Sequence, residues 1–489
     1  MQSVANFVGG TWMDTSTAAA SHVIDPATGE LLAAVPVRGG DAVSDAVRAA
    51  GHAFPDWRDT PPGERIQVLF RFKDLLERRF ESIARLVSAE NGKTLAEARG
   101  ELRRGIENVE VACGIPTMMQ GYNLEDIARG IDEVMLRQPL GVVGVITPFN
   151  FPAMIPLWFL PYAIACGNTV VIKPSEKVPL AISEILRTLQ ESGLPDGVAN
   201  LVHGGREAAD ALIEHPMVRA ISFVGSSPVA RHVYSLAARH GKRVQCQGGA
   251  KNHVVVMPDA DLETATEIIA DSAFGCAGQR CLAVSQVVTV DAAHPPFREG
   301  IVEAARTLRV GRGMDEGVEM GPVITAESRD RILGEIGRGL SGGATALLDG
   351  RGIRVDGYPR GNFVGPTVLD SVDPAGHLAR TEVFGPVLGL TKVRTLEEAI
   401  GTIAASPFGN ASSIFTSSGA AARKFRSEVS TGNVGVNIGV AAPMAYFPFS
   451  GWKDSFFGVL HGQGRDAVEF YTEKKVVVER WPQQWSRKF

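Results

Sequence analysis

Apolar residues at Ile66, Leu69, Phe72, Leu76, Phe80, Ile83 and Val87 recur three or four positions apart, with charged residues between them. That spacing lines one face of an amphipathic helix. It predicts a first long helix that begins after Thr60, with Pro61 at its first position, where a missing N–H costs nothing. The pattern changes at Gly141. The runs GVVGVIT, TVVIK (169–173), ANLVH (199–203) and AISFVG (220–225) are short and apolar, and the stretches VPLAISEILRTLQESG and GREAADALIEH between them have helical spacing. Strands alternating with helices indicate a parallel sheet covered on both faces. The alternation resumes after Lys251. NHVVVM, QVVTVD, VLGLTKV, SSIFT and GNVGVN read as strands, and DADLETATEIIADSAF as a helix capped by Asp259. The expectation is an α/β protein with two α/β domains in series. Residues 122–137 carry few packing signals. The tail KKVVVER (474–480) is strand-like, and an isolated strand must pair with something. A second subunit is the expected partner, with pairing inside the chain left open.

Composition narrows this picture. A chain of 489 residues exceeds a single hydrophobic core, and 45% hydrophobic with 21% charged residues is ordinary for a globular protein. The net charge of −5, without a long basic run, leaves no footprint for nucleic acid. The opening MQSVANFVGGTWMD lacks the basic and apolar regions of a secretory signal. The longest apolar stretch, FPAMIPLWFLPYAIACG, is interrupted by Pro152, Pro156 and Pro161 and is short for a membrane span; it reads as buried core. A cytoplasmic location without a membrane partner is therefore expected. The five cysteines form no CxxC pair, and no histidine cluster has metal-ligand spacing, so neither a disulfide framework nor a metal site is expected.

Four segments are candidates for chemistry. FGCAGQRCLAVS (274–285) places Cys276 and Cys281 among small residues beyond a helix. A thiol there is nucleophilic if its pKa is lowered, although free cysteines are more often buried and inert. TPFNFP (147–152) sets Asn150 at the carboxyl end of a strand, where open α/β sheets bind ligands and where an amide can donate to an oxyanion; a turn role is the plainer reading. VIKPSEKVP (171–179) places Lys173 and Glu176 at the end of the next strand. A carboxylate there accepts from a ribose hydroxyl and favours NAD over NADP, but an ordinary loop with solvated charges is the plainer reading of this segment alone. ISFVGSSPVARHVY (221–234) is a strand, a Gly225-Ser226-Ser227 turn and a helix with Pro228 at its first position, an arrangement whose free N–H groups suit pyrophosphate. Most such units bind nothing.

In this order the segments resemble the aldehyde dehydrogenase superfamily. PFNFP, KPSE, FVGS, GQRC, EVFGPV (382–387) and FSGWKDSFFG (449–458) carry the resemblance over nearly the whole chain. PFNFPAMIPLW, AIACGNT, HGKRVQ, GAKNH and GNFVGPT read like its CoA-acylating methylmalonate-semialdehyde dehydrogenase branch, an enzyme of valine catabolism. The resemblance implies a Rossmann-type NAD domain (1–120 and 140–249), a catalytic domain (250–448) and a small β oligomerisation element (121–139 and 470–489), assembled as a homodimer or homotetramer. It implies Cys281 as nucleophile and Asn150 as oxyanion donor. Phe149, Lys173, Glu176, Gly225, Ser226, Glu382 and Phe384 would contact NAD. Arg104 and Arg280 would bind a substrate carboxylate, with Arg103 one residue from the first assignment.

One position departs from the commonest family activity. Hydrolytic members carry a water-activating Glu in a motif of the form ELGGK; here the segment is QGGAK, with Gln247 in its place. An amide is no general base, a role typically worth about 10²–10⁴-fold. The expected reaction is thus NAD-dependent oxidation of a semialdehyde through a Cys281 thioester, followed by transfer to coenzyme A. Release of a free acid is the alternative within the family. A non-catalytic binding relative and a Cys–His hydrolase using His253 or His461 are the alternatives outside it.

Overall fold

The computed structural model describes residues 2–13, 20–36 and 40–481. Its frame is two large sheets. The first runs, in spatial order, Phe456–Gly458, Arg243–Gln247, Val218–Val224, Val142–Ile146, Thr169–Lys173, Ala199–Leu201, Asn6–Val8 and Thr11–Met13. Its strands from Arg243–Gln247 to Ala199–Leu201 are parallel, and the outer ones pair antiparallel. The second runs Thr345–Leu348, Thr367–Asp370, Val387–Val393, Val284–Val290, Asn252–Val256, Ala411–Phe415 and Asn433–Val436, parallel except at the first edge.

The apolar runs are continuous because both faces of the strands are covered. Val143, Val145, Val170 and Ile172 face one core of the first sheet, while Val142, Ile146, Val171 and Ile221 face the other. The stretch interrupted by prolines forms the helix Met154–Ala165, buried from Ile155 to Ala165. A helix apolar all round belongs inside a protein. Among the described residues, no helix is long and apolar enough to cross a membrane.

The structure departs from the pattern in four places. A helix Gly40–Asp59 precedes the one expected to be first. The expected single helix is two, Pro62–Arg78 and Phe80–Asn91, and Pro61 is the cap of the first rather than its opening residue. The break carries no Gly or Pro. Arg79 leaves helical geometry (φ −100°, ψ 9°) while its N–H still reaches Leu75 O and its carbonyl accepts from Ile83 N and the Ser82 hydroxyl, so the ladder continues through the bend. The helix Leu262–Phe274 is capped by Asp261, which accepts from Thr264 N; Asp259 instead receives Thr416 and Ser417. Finally, the terminal strand Thr472–Arg480 pairs inside the chain with Ile131–Pro139, which pairs in turn with Tyr122–Ala128. Residues 122–137 lack a packing signature because this three-stranded sheet leaves Tyr122–Ala128 exposed along its length.

Candidate active site

Cys281 lies just past a strained turn. After Phe274 the chain makes a short 3-10 turn in which Cys276 (φ 49°, ψ 31°) and Ala277 (φ 52°, ψ 38°) are both left-handed, a conformation that costs non-glycine residues on the order of 1–3 kcal/mol each. Gly278 follows at φ 70°, and a Cβ there would sit 2.1 Å from Gly385 O. The Cys281 carbonyl is then fixed by two side-chain amides, Asn252 Nδ2 and Asn410 Nδ2, each at 2.8 Å. Neither amide was singled out in the sequence; they lie 29 and 129 residues away, and no local signal marks them.

The PFNFP loop is gripped just as firmly. Asn150 is buried, and its Nδ2 donates to Gln279 O at 3.0 Å, which sets the amide beside the peptide leading to Arg280 and Cys281. One Nδ2 hydrogen remains for a ligand. Behind the loop, Lys93 and Glu101 form an ion pair at 2.5 Å with side chains 1% and 0% exposed. Lys93 Nζ also donates to Asn150 O at 2.7 Å, and Glu101 Oε1 accepts from Ala153 N and Met154 N. Asn91 Nδ2 donates to Phe149 O. The sequence pattern places Glu101 on a helix face and no more, so this grip is visible only in three dimensions.

A cavity of about 320 Å³ opens beside Cys281, and Arg104, Arg280, Phe151, Trp158 and Phe449 are among its walls. Of the adjacent pair Arg103 and Arg104, it is Arg104 that lines the cavity. Arg103 turns outward, pairing with Glu77 and stacking over Phe80. Arg104 Nη1 donates to Glu107 (3.0 Å) and Met444 Sδ (2.6 Å), and Nη2 to Pro443 O (2.7 Å). Its Nε–H and one Nη2 hydrogen remain to meet a carboxylate. Of the two carboxylates on the wall, Glu101 is spent as described, and Glu97 accepts from Thr94 N, Cys276 N and Arg280.

Glu382 and Phe384 line a narrow second cleft that shares Arg280 with the first. Glu382 Oε1 accepts from Ala250 N at 2.8 Å. Burial pushes this carboxyl up to about 7, against the pull of Ala250 N–H, Arg331 and Lys251. Phe384 is left-handed (φ 50°) and meets Phe149 edge-on, with centroids 5.9 Å apart. Burial, followed by the Glu382 charge, pushes the Cys281 thiol up to about 12, while the backbone N–H groups of Cys281 and Leu282 pull it down.

The remaining candidates lie at the carboxyl ends of the two parallel strands that flank Val142–Ile146. Lys173 ends Thr169–Lys173, donates to Gly204 O at 2.8 Å and sits 3.8 Å from Glu176. Ser226 caps the helix Ser227–Arg239 without a side-chain cap bond, so the first N–H groups of that helix have no side-chain acceptor from it. Pro228 is the second helical residue rather than the first, and Ser227 Oγ is tied to Asp454 O and Gly249 N. A Cβ on Gly225 would meet the Phe223 ring at 2.4 Å. An accessible carboxylate, an ammonium and an uncapped helix start are the groups that a dinucleotide requires.

Gln247 does not face the sulfur cavity. With its amide oriented to satisfy both ends, Nε2 donates to Phe223 O at 2.8 Å and Oε1 accepts from Gly462 N at 3.3 Å. His253 is buried within its strand, where burial holds it down at about 3, and His461 stacks on Phe456; neither lines the cavity around Cys281. Among the described residues, no group of His, Cys, Asp and Glu is arranged to hold a metal.

Comparison with known proteins places the chain in a family. The aldehyde dehydrogenase family matches residues 12–477. Malonate-semialdehyde dehydrogenase 2 of Geobacillus kaustophilus strain HTA426 is 49% identical over 484 residues, covering 98% of this chain and 99% of its own. Malonate-semialdehyde dehydrogenase of Halalkalibacterium halodurans is 47% identical over 482 residues, covering 98% of this chain and 99% of its own. The crystal structure of methylmalonate-semialdehyde dehydrogenase (DddC) from Oceanimonas doudoroffii, 45% identical, superposes with a TM-score of 0.97 over 99% of each chain. A Sinorhizobium meliloti 1021 structure complexed with NAD, 40% identical, does so with a TM-score of 0.97 over 99% of each chain. Sequence and fold converge, and the chain belongs to the aldehyde dehydrogenase family.

Proposed function

We propose that this protein oxidises malonate or methylmalonate semialdehyde with NAD through a thioester on Cys281, and that the acyl group, after loss of CO₂, passes to coenzyme A as acetyl-CoA or propionyl-CoA. The observation that carries the reading is one cavity lined at once by Cys281, Arg104 and Arg280. Two guanidinium groups in a largely apolar chamber select an anionic aldehyde over a neutral one, each charged hydrogen bond being worth roughly 1.5–3 kcal/mol.

The chemistry follows from the residues. The Cys281 sulfur attacks the aldehyde carbon. The oxyanion takes the free Asn150 N–H and the N–H of Cys281, and losing one such donor costs about 3–4 kcal/mol. When bound, NAD accepts the hydride. Lys173 and Glu176 would hold its adenosine ribose, Gly225 and Ser226 its pyrophosphate, Glu382 its nicotinamide ribose, and Phe149 and Phe384 would stand beside the ring. The acyl group remains on Cys281 as a thioester, whose carbonyl accepts the electrons released as the β-carboxylate leaves. Water lacks a base in this setting: Gln247 is an amide bonded to backbone, and Glu97 and Glu101 are engaged. A thiolate brings its own nucleophilicity and resolves the thioester.

The same reading includes the domain division 1–120 with 140–249, 250–448, and 121–139 with 470–489, supported by the sheets those segments build, the edge strand Phe456–Gly458 joining the first from outside them. It includes a homodimer or homotetramer, supported by the exposed apolar residues of the small sheet, and a cytoplasmic setting, in keeping with five free thiols. The test is product analysis with malonate semialdehyde, NAD and CoA. Acetyl-CoA is expected, with NADH formation stalling after one turnover when CoA is omitted. Equal steady-state rates with and without CoA would overturn the acceptor assignment in favour of hydrolysis.

A further inference from the structure

A guanidinium has five N–H groups, and Arg280 spends three of them on its own protein. Nε donates to Cys276 Sγ at 3.3 Å, Nη2 to Glu97 Oε1 at 3.2 Å and Nη1 to Asp271 O at 3.4 Å. One hydrogen remains on each terminal nitrogen, with the exposed Asp271 carboxylate 3.9 Å from Nη1. The arginine side chain is 16% exposed and that of Glu97 13%, so the pair is shielded from water and its geometry is fixed.

Glu97 does more than balance charge. It stands in the first turn of the helix Leu95–Cys113, the helix that carries Arg104. Its Oε2 accepts from Thr94 N at 2.8 Å, closing a capping box, and its Oε1 accepts from Cys276 N at 2.5 Å as well as from Arg280. Cys276 is the first residue of the left-handed pair before the nucleophile. One carboxylate therefore ties the helix bearing the first arginine to the strained turn bearing the second. Cys276, whose thiol has no part in the chemistry above, closes the bracket from the Nε side.

We infer that Glu97 and Cys276 are positioning residues for Arg280, and that together they set the discrimination between carboxylate-bearing and neutral aldehydes. Held on three sides, the guanidinium presents its two remaining hydrogens to a carboxylate without reorganising. This rests on the proposed substrate class.

The experiment compares kcat/KM for malonate semialdehyde with that for 3-methylbutanal, a neutral aldehyde of the same heavy-atom count and branching, in the full-length enzyme with NAD and CoA. Glu97→Gln lowers the anionic-to-neutral ratio roughly 10–100-fold, the equivalent of one charge-assisted hydrogen bond. The loss falls on KM for the anionic substrate. Cys276→Ala lowers the ratio in the same sense by less. Thr94→Ala, which removes the cap but no contact to Arg280, lowers the melting temperature and leaves the ratio alone. A Glu97→Gln enzyme that loses activity equally toward both aldehydes makes Glu97 purely structural and overturns the inference, as does an unchanged or increased ratio. Should Glu97→Gln not fold, an unchanged ratio in Cys276→Ala overturns it. A wild-type enzyme with no preference for the anionic aldehyde removes the proposed substrate class, and this inference with it.

Discussion

A thiol that attacks a carbonyl carbon must first lose its proton, and Cys281 is set against that loss. Burial and then the Glu382 charge push it up to about 12, so the thiolate is a small minority at neutral pH. Because Glu382 itself titrates near 7, its ionisation raises the thiol as pH climbs. The alkylation rate of Cys281 by iodoacetamide should therefore rise less than tenfold per pH unit between 6 and 8, and close to tenfold above that. Glu382→Gln should alkylate faster at pH 8 and straighten the profile, as followed by mass spectrometry of the 281 peptide. A wild-type plateau near pH 8 would contradict the assignment. Behind the oxyanion donor, Lys93 and Glu101 make a second residue-scale prediction. Removing one member of a buried pair costs about 3–5 kcal/mol, so Lys93→Met should lower the urea midpoint sharply. Lys93→Met/Glu101→Gln should recover much of that loss, since the amide oxygen still serves Ala153 N and Met154 N. A double variant no more stable than the single would show that the charge pairing is not what Lys93 supplies.

At the scale of elements, the helix Leu180–Glu191 begins on Glu90, a residue from another helix. The Glu90 carboxylate accepts from Leu180 N at 2.6 Å and Ala181 N at 2.9 Å. Burial outweighs those two donors and pushes Glu90 up to about 8 from an ordinary 4.5. A carboxyl raised on folding contributes stability that is complete below about 4.5 and is lost as pH rises through 8. The melting temperature of the wild type should thus fall relative to Glu90→Gln between pH 5 and 8.5, and a constant difference across that range would refute the assignment. Glu90 also shows where sequence reading stops. Period and turn chemistry made the parallel strands, the buried Met154–Ala165 segment and the loops holding Cys281, Asn150, Lys173 and Ser226 legible, because each is decided within a dozen residues. The bend at Arg79 carries no breaker, and Asp259 and Asp261 offer the same cap chemistry two positions apart. Asn252 and Asn410 clamp the Cys281 carbonyl, and Glu101 caps residues 153 and 154; these depend on contacts that only the fold creates. Arg104 and Arg103 were separable only by the side of the helix that faces the cavity.

Across the whole molecule, the two large sheets are locked together at the Lys93 loop. Leu95 N donates to Gly313 O, and a Cβ on Gly313 or Gly321 would lie 2.2 Å from Lys93 O or 2.0 Å from Gly92 O. The backbone of one half therefore presses directly on the loop that positions Asn150 in the other. The small sheet is the reverse case: among the described residues, its strand Tyr122–Ala128 is exposed along its length. Register places Tyr122, Met135 and Val476 in one row, and Leu124, Glu133 and Val478 in the next. Tyr122 is 72% exposed, and Val476 and Val478 are each 61% exposed. Four exposed apolar side chains, Tyr122, Leu124, Val476 and Val478, flank a buried Met135 and Glu133 on one face of the sheet; such a surface on an edge-bearing sheet is one that monomeric proteins avoid, whereas a symmetric contact between copies buries it at little cost. Val476→Glu/Val478→Glu should therefore yield a smaller particle in analytical ultracentrifugation than the wild type. Val476 pairs opposite the buried Met135 whereas Val478 pairs opposite Glu133, so Val478→Glu alone should show the same change in assembly with the smaller effect on the melting temperature. Wild-type protein that sediments as a monomer at micromolar concentration would remove the small sheet from any role in assembly.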